Sequence, residues 1–102
     1  MAALLVSSSA ATGTGAAATP VQHSVALSWS PSSSSITGYN VYRGTVSSGP
    51  YTKINPSLDT TTSYTDSTVQ SGQTYFYVTT AVGTDGVESS YSNQVTAVVP
   101  TP

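Results

Sequence analysis

Chemistry in this chain would have to come from very few groups. His23 is its one histidine, the carboxylates are Asp59, Asp66, Asp85 and Glu88, and the cations are Arg43 and Lys53. A nucleophile requires a base within hydrogen-bond reach and a third group to orient that base. One histidine among 19 serines, with no G-x-S-x-G frame, supplies no such triad. By parity with Trp29, His23 falls at the start of a core-facing strand, which makes it a core-edge or loop residue rather than a general base. Asp85 and Glu88, three apart on a loop, could share a cation, but two carboxylates without further oxygen ligands make a weak calcium site. Asp85-Gly86 is already explained as a turn. Asp59 and Asp66 could act as an acid pair only across a cleft, for which a domain this small has little room; Asp66 reads as a hydrogen-bonding strand residue. The expectation is no catalytic residue, no metal ligand and no cofactor.

The elements that would position these groups are strands. From His23 the apolar residues recur every second position: Val25, Leu27 and Trp29 alternate with Ala26, Ser28 and Ser30 up to Pro31. Tyr39 and Val41 alternate with Asn40 and Tyr42, and the stretch from Gly44 to Gly49-Pro50 closes that strand with turn residues. Short strands are expected over Tyr51 to Ile54, ended by Asn55-Pro56, and over Thr62 to Ser67, centred on Tyr64. The longest runs from Thr74 to Val82, and Asp85-Gly86 then turns the chain into a last strand over Asn93 to Val99. Turns about every ten residues, with no helical window, predict an all-β sandwich of two antiparallel sheets. Residues 1–19, with seven alanines and neither charge nor aromatic ring, read as a low-complexity arm or linker, and residues 20–102 as the sandwich.

Composition narrows the partners. A chain of 102 residues makes one domain. Its net charge of −2 removes the counterion-release term of nucleic-acid binding and the attraction to anionic lipid. No run approaches the ~20 apolar residues of a membrane span, and Ala2 to Val6 is too short and lacks the basic flank of a signal peptide. The partners expected are protein, as copies of itself or neighbouring domains, with no nucleic acid and no membrane insertion. Charged side chains make up only 6%, so hydroxyls and amides must carry solubility, a composition that suits secreted or cell-surface material.

Several stretches resemble a fibronectin type III domain of the bacterial secreted or cell-surface type. Ser24-Val25-Ala26-Leu27-Ser28-Trp29 is similar to the family's strand B, Gly38-Tyr39-Asn40-Val41-Tyr42-Arg43 to strand C, and Ser63-Tyr64-Thr65-Asp66 to strand E. Gly72-Gln73-Thr74-Tyr75-Phe76-Tyr77 with Ala81-Val82 resembles strand F, and Glu88 to Val95 the entry to strand G. The resemblance covers about residues 21 to 100. It implies a core around Trp29, Tyr39, Val41, Tyr64, Tyr75 and Ala81, with Tyr75 as a tyrosine corner whose hydroxyl bonds backbone near Val69. Two departures stand out: Thr79 occupies a position where the family buries a valine, and no strand with the usual proline pattern precedes Val21. A sandwich without its first strand leaves an unpaired edge open to any extended segment.

If Tyr75, Tyr77, Thr79 and Ala81 face inward, then Phe76, Val78 and Val82 face outward. Tyr42 and Val98 would extend the same surface, making an apolar stripe on a nearly chargeless sheet, which marks a contact site as readily as ordinary strand decoration. The leading expectation is a non-enzymatic extracellular structural or adhesive module. Its arm, anchored by Leu4, Leu5 and Val6, would add a strand to its own sheet or to the next subunit's, the latter building a homo-oligomer or filament. The loop from Gly83 to Ser92 holds no R-G-D, so integrin-type adhesion is not implied. The alternative is a spacer or carbohydrate-binding accessory module of a larger secreted multi-domain enzyme, with Tyr42, Tyr51 and Tyr91 stacking on sugar.

Overall fold

The computed structural model describes residues 4–9, 23–32 and 35–101, the first of these segments as backbone. Seven strands are formed: β1 (Leu4–Ser9), β2 (Ser24–Trp29), β3 (Ile36–Gly44), β4 (Thr52–Lys53), β5 (Ser63–Asp66), β6 (Thr74–Gly83) and β7 (Val95–Val98). They make a three-stranded sheet in the order β1-β2-β5 and a four-stranded sheet in the order β4-β3-β6-β7, with every pairing antiparallel. This is the all-β sandwich that the two-residue period predicts.

The core lies between the sheets. On β2 the inward positions Val25, Leu27 and Trp29 are buried, while Ser28 is exposed. They meet Tyr39 and Val41 of β3, Tyr75, Tyr77 and Ala81 of β6, and Ala97 of β7, with Tyr64 half-buried against them. Trp29, 4% exposed, packs edge-on to Tyr39 with ring centroids 5.4 Å apart, the geometry favoured by the charge distribution of aromatic rings. The Tyr75 hydroxyl accepts the Gln70 N–H at 3.0 Å, one residue beyond Val69, and so ties the loop before β6 to the core.

Two strands are shorter than their residue types suggest, for a physical reason in each case. β4 holds only Thr52 and Lys53, because Asn55 takes over the edge of β3: its side-chain oxygen accepts the Val41 N–H at 2.8 Å, and its amide donates to the carbonyls of Tyr39 and Ser57. β7 begins at Val95 rather than Asn93. Val82 faces Glu88, yet Tyr77 faces Val95, so the returning chain carries two residues more than β6 can pair. These are bulges. At each, a serine hydroxyl stands in for a carbonyl: Ser89 Oγ accepts the Ala81 N–H and Ser92 Oγ the Thr79 N–H, both at 2.8 Å.

The edge of β2 is not open. Leu4–Ser9 of the same chain runs antiparallel along it, from Leu4 opposite Trp29 to Ser9 opposite Ser24. A first strand therefore forms without the expected proline pattern, because pairing to a strand already held by the core asks little of the added sequence beyond an unbroken extended backbone. Residues 1–3 and 10–19 of the predicted arm, and 20–22 beyond it, lie outside the described residues.

Candidate functional site

Burial on the outer face of the four-stranded sheet differs from the continuous apolar stripe that parity predicts. Val98 is 64% exposed, and Tyr42, Phe76 and Val82 are half-buried, but Val78 is only 2% exposed although it lies outside the core cluster. Val78 sits directly opposite Tyr42 in the β3–β6 ladder, and the aromatic layer built on Tyr42 stands over this part of the sheet. Leu4, Leu5 and Val6 lie in β1, and their side chains fall outside the described residues.

That layer has three rings. Tyr91, on the segment between the two bulges and 49% exposed, meets Tyr42 with centroids 5.3 Å apart and Tyr51 at 5.2 Å, both near-perpendicular. Bulges beside a functional site commonly re-aim a side chain, and here the two extra residues carry Tyr91 out of the ladder and onto the sheet face. Gln94 pins the far side: its side-chain oxygen accepts from the Tyr51 hydroxyl at 2.5 Å and from the Ser48 N–H at 2.6 Å.

Glu88 closes the other side. One carboxylate oxygen, Oε2, accepts from the Tyr42 hydroxyl, the Thr80 hydroxyl and, at 3.3 Å, the Asn40 amide. These donors come from two neighbouring strands, and Asn40 is itself held by the buried Asn55 amide at 3.2 Å. Three donors on one oxygen fix the carboxylate and favour its charged form. The Thr80 and Tyr42 hydrogen bonds accordingly hold the Glu88 carboxyl below its usual range. Burial first, and the bond to Glu88 second, push the Tyr42 phenol up to about 12. The result is a cleft of about 330 Å³ lined by Tyr42, Thr80, Glu88, Ser89, Ser90 and Tyr91.

The other candidates from the sequence do not line this cleft. His23 is buried, and neither ring nitrogen has a hydrogen-bond partner among the described residues. Asp85 accepts the Val87 N–H at 3.0 Å within its turn, so it and Glu88 point to different tasks. Asp59 caps its own loop by accepting from the Thr61 N–H at 2.8 Å. Asp66 is buried and bridges the sheets: Oδ2 accepts from Arg43 at 2.8 Å and Tyr77 at 2.7 Å, while Oδ1 accepts the Thr68 N–H and hydroxyl. Burial alone would raise this carboxyl, but the donors from Thr68, Tyr77 and Arg43 together hold it below the usual value. Sequence reasoning missed Glu88 as the hub of the outer face. Its signal was a lone carboxylate next to three serines and a tyrosine on a loop, which says nothing of the strand it folds onto.

No family model matches the chain. An amylopullulanase of Thermoanaerobacter thermohydrosulfuricus is 47% identical over 73 residues, which are 72% of this chain and 5% of that protein. The chain thus spans about a twentieth of the length of that relative. Pectate lyase PelI of Erwinia chrysanthemi, solved with tetragalacturonic acid, is 27% identical over 94% of this chain and 28% of its own, with a TM-score of 0.72. An Fn3-like protein of Clostridium thermocellum is 38% identical, with a TM-score of 0.69, across 78% of this chain and 79% of that one. The strand order, the packed Trp29 and the Tyr75 corner agree with that likeness over more than three quarters of each chain, and the chain belongs to the fibronectin type III family.

Proposed function

We propose that this chain is a non-catalytic β-sandwich module of a larger secreted carbohydrate-active enzyme, where it contacts neighbouring domains and presents the outer sheet face. The observation that carries this reading is the 47% identity to a stretch amounting to 5% of an amylopullulanase. In such a protein, catalysis belongs to other parts. β1 starts beside Trp29, at the β3–β6 end marked by Ile36 and Gly83, whereas Val99 bonds Gln73 at the start of β6, ten residues away. Leu4 and Val99 therefore lie at opposite ends of the sandwich.

The self-assembling filament has no comparable support, and the β2 edge that strand addition needs carries the chain's own β1. Division into an arm over 1–19 and a sandwich over 20–102 gives way in this proposal to one unit whose first strand is Leu4–Ser9. A segment swap tests the reading. Placing this chain in the amylopullulanase, in exchange for the 73-residue stretch it resembles, is expected to leave kcat and KM on a soluble substrate within about two-fold. A fall in kcat of a hundred-fold in a folded chimera overturns it, since the segment then belongs to the catalytic machinery.

A further inference from the structure

We infer that the Tyr42–Tyr91 cleft binds a neutral hexopyranosyl unit of a polysaccharide, its ring against Tyr91 and one hydroxyl donating to Glu88. The choice of a polysaccharide rests on the accessory-module reading; the choice of site rests on geometry. Three features coincide there. Tyr91 is half exposed on a face where Val78 is buried, Phe76 and Val82 are half-buried and Val98 is open on β7, and its ring is braced by Tyr42 and Tyr51 rather than free to swing. Glu88 uses Oε2 for all three of its bonds, which leaves Oε1 with no partner among the described residues and fixed in direction. The lining is otherwise hydroxyl, from Thr80, Ser89 and Ser90, beside the apolar ring faces.

A sugar presents the matching pattern of apolar C–H faces and equatorial hydroxyls. An aromatic ring can bury the former, and a pre-oriented carboxylate accepts strongly from the latter. The volume of about 330 Å³ falls at the low end of the ~300–1,000 Å³ typical of small-ligand sites, room for a short stretch of glycan and not for a protein loop. Charge selects the type of sugar. The acceptor is an ionised carboxylate, and the exposed Lys53, opposite Tyr42 in the β3–β4 ladder, is not among the residues lining the cleft; a neutral hexose brings the hydroxyl donor that Glu88 can accept, whereas the ionised carboxylate of a uronate brings only acceptor oxygens.

The test is a titration of the whole chain with maltohexaose, followed by amide chemical shifts in two-dimensional NMR. Saturable shifts are expected at Tyr42, Thr80 and residues 88–91, with a Kd of order 1 mM. Tyr91→Ala removes the stacking ring, and Glu88→Gln keeps an acceptor for the three protein donors while turning the free oxygen into a donor. Each is expected to weaken binding at least about ten-fold, while Val98→Ala on the exposed face of β7 leaves it unchanged. Trp29 fluorescence and the dispersed amide spectrum report that each variant is folded. Absence of saturable shifts at residues 88–91 with maltohexaose and with cellohexaose overturns the inference. So does tighter binding of tetragalacturonate in the cleft, or the same shifts arising from protein concentration alone. None of these outcomes alters the segment swap, which tests the module reading separately.

Discussion

Two carboxylates in this domain have nearly the same partners and opposite situations. Asp66, itself 3% exposed where β5 faces β3 and β6, accepts from the buried Tyr77 hydroxyl, from Arg43, whose side chain is 26% exposed, and from the hydroxyl of Thr68 at the surface. Glu88 accepts from a tyrosine hydroxyl, a threonine hydroxyl and an asparagine, on the open face of the four-stranded sheet. Among the described residues both oxygens of Asp66 are used and one oxygen of Glu88 is not. The same chemistry thus staples the sheets where solvent is excluded and prepares an acceptor where it is not. Saturation makes a group structural, and an acceptor held rigid but incompletely used is available to a ligand.

Removing each carboxylate should separate the two roles most sharply. Asp66→Ala leaves Arg43 and Tyr77 without their acceptor inside the sandwich and is expected to cost about 3–5 kcal/mol in urea unfolding. Glu88→Ala removes an exposed carboxylate but leaves the buried Thr80 and Asn40 donors without it, and is expected to cost less, about 1–2 kcal/mol. Equal losses would erase the distinction.

Acid and alkali should divide them next. Asp66 has a folded-state carboxyl below its unfolded value of about 3.9, so its contribution is complete above that pH and is lost as pH falls through the folded value. Wild type should therefore lose stability steeply below about pH 4, and Asp66→Asn much less steeply. Tyr42 behaves in the opposite sense: with its phenol pushed up to about 12, its contribution is complete below about pH 10 and declines as pH rises toward 12. Tyr42→Phe should flatten that alkaline limb. An unchanged limb in either variant breaks the link between these bonds and stability.

The smallest effect concerns adjacent residues on β6. Thr80 points outward and its hydroxyl donates to Glu88, whereas Thr79 points inward, 1% exposed, with no partner for its hydroxyl among the described residues. Thr79→Val exchanges an unsatisfied buried hydroxyl for a methyl of the same shape and is expected to add about 1 kcal/mol, or roughly 4–8 °C in Tm. Thr80→Val is expected to subtract a similar amount. A loss at Thr79 would show that its hydroxyl is satisfied after all.

Local sequence determined the layering of this protein. A period of two over Val25, Leu27 and Trp29, and again over Tyr75, Tyr77, Thr79 and Ala81, places one face of each strand inside whatever the strand pairs with. Asp85-Gly86 turns the chain after β6 by its own backbone preferences, and Tyr75 finds the backbone only five residues away. Tertiary structure decided the rest, because register and bulges depend on partners far along the chain. Two extra residues between Glu88 and Val95 turn Tyr91 out of the ladder and bring Glu88 beside Tyr42 across 46 positions of sequence. Parity along one strand holds no record of what the next strand lays over it, so the core was legible from residue types and the cleft was not.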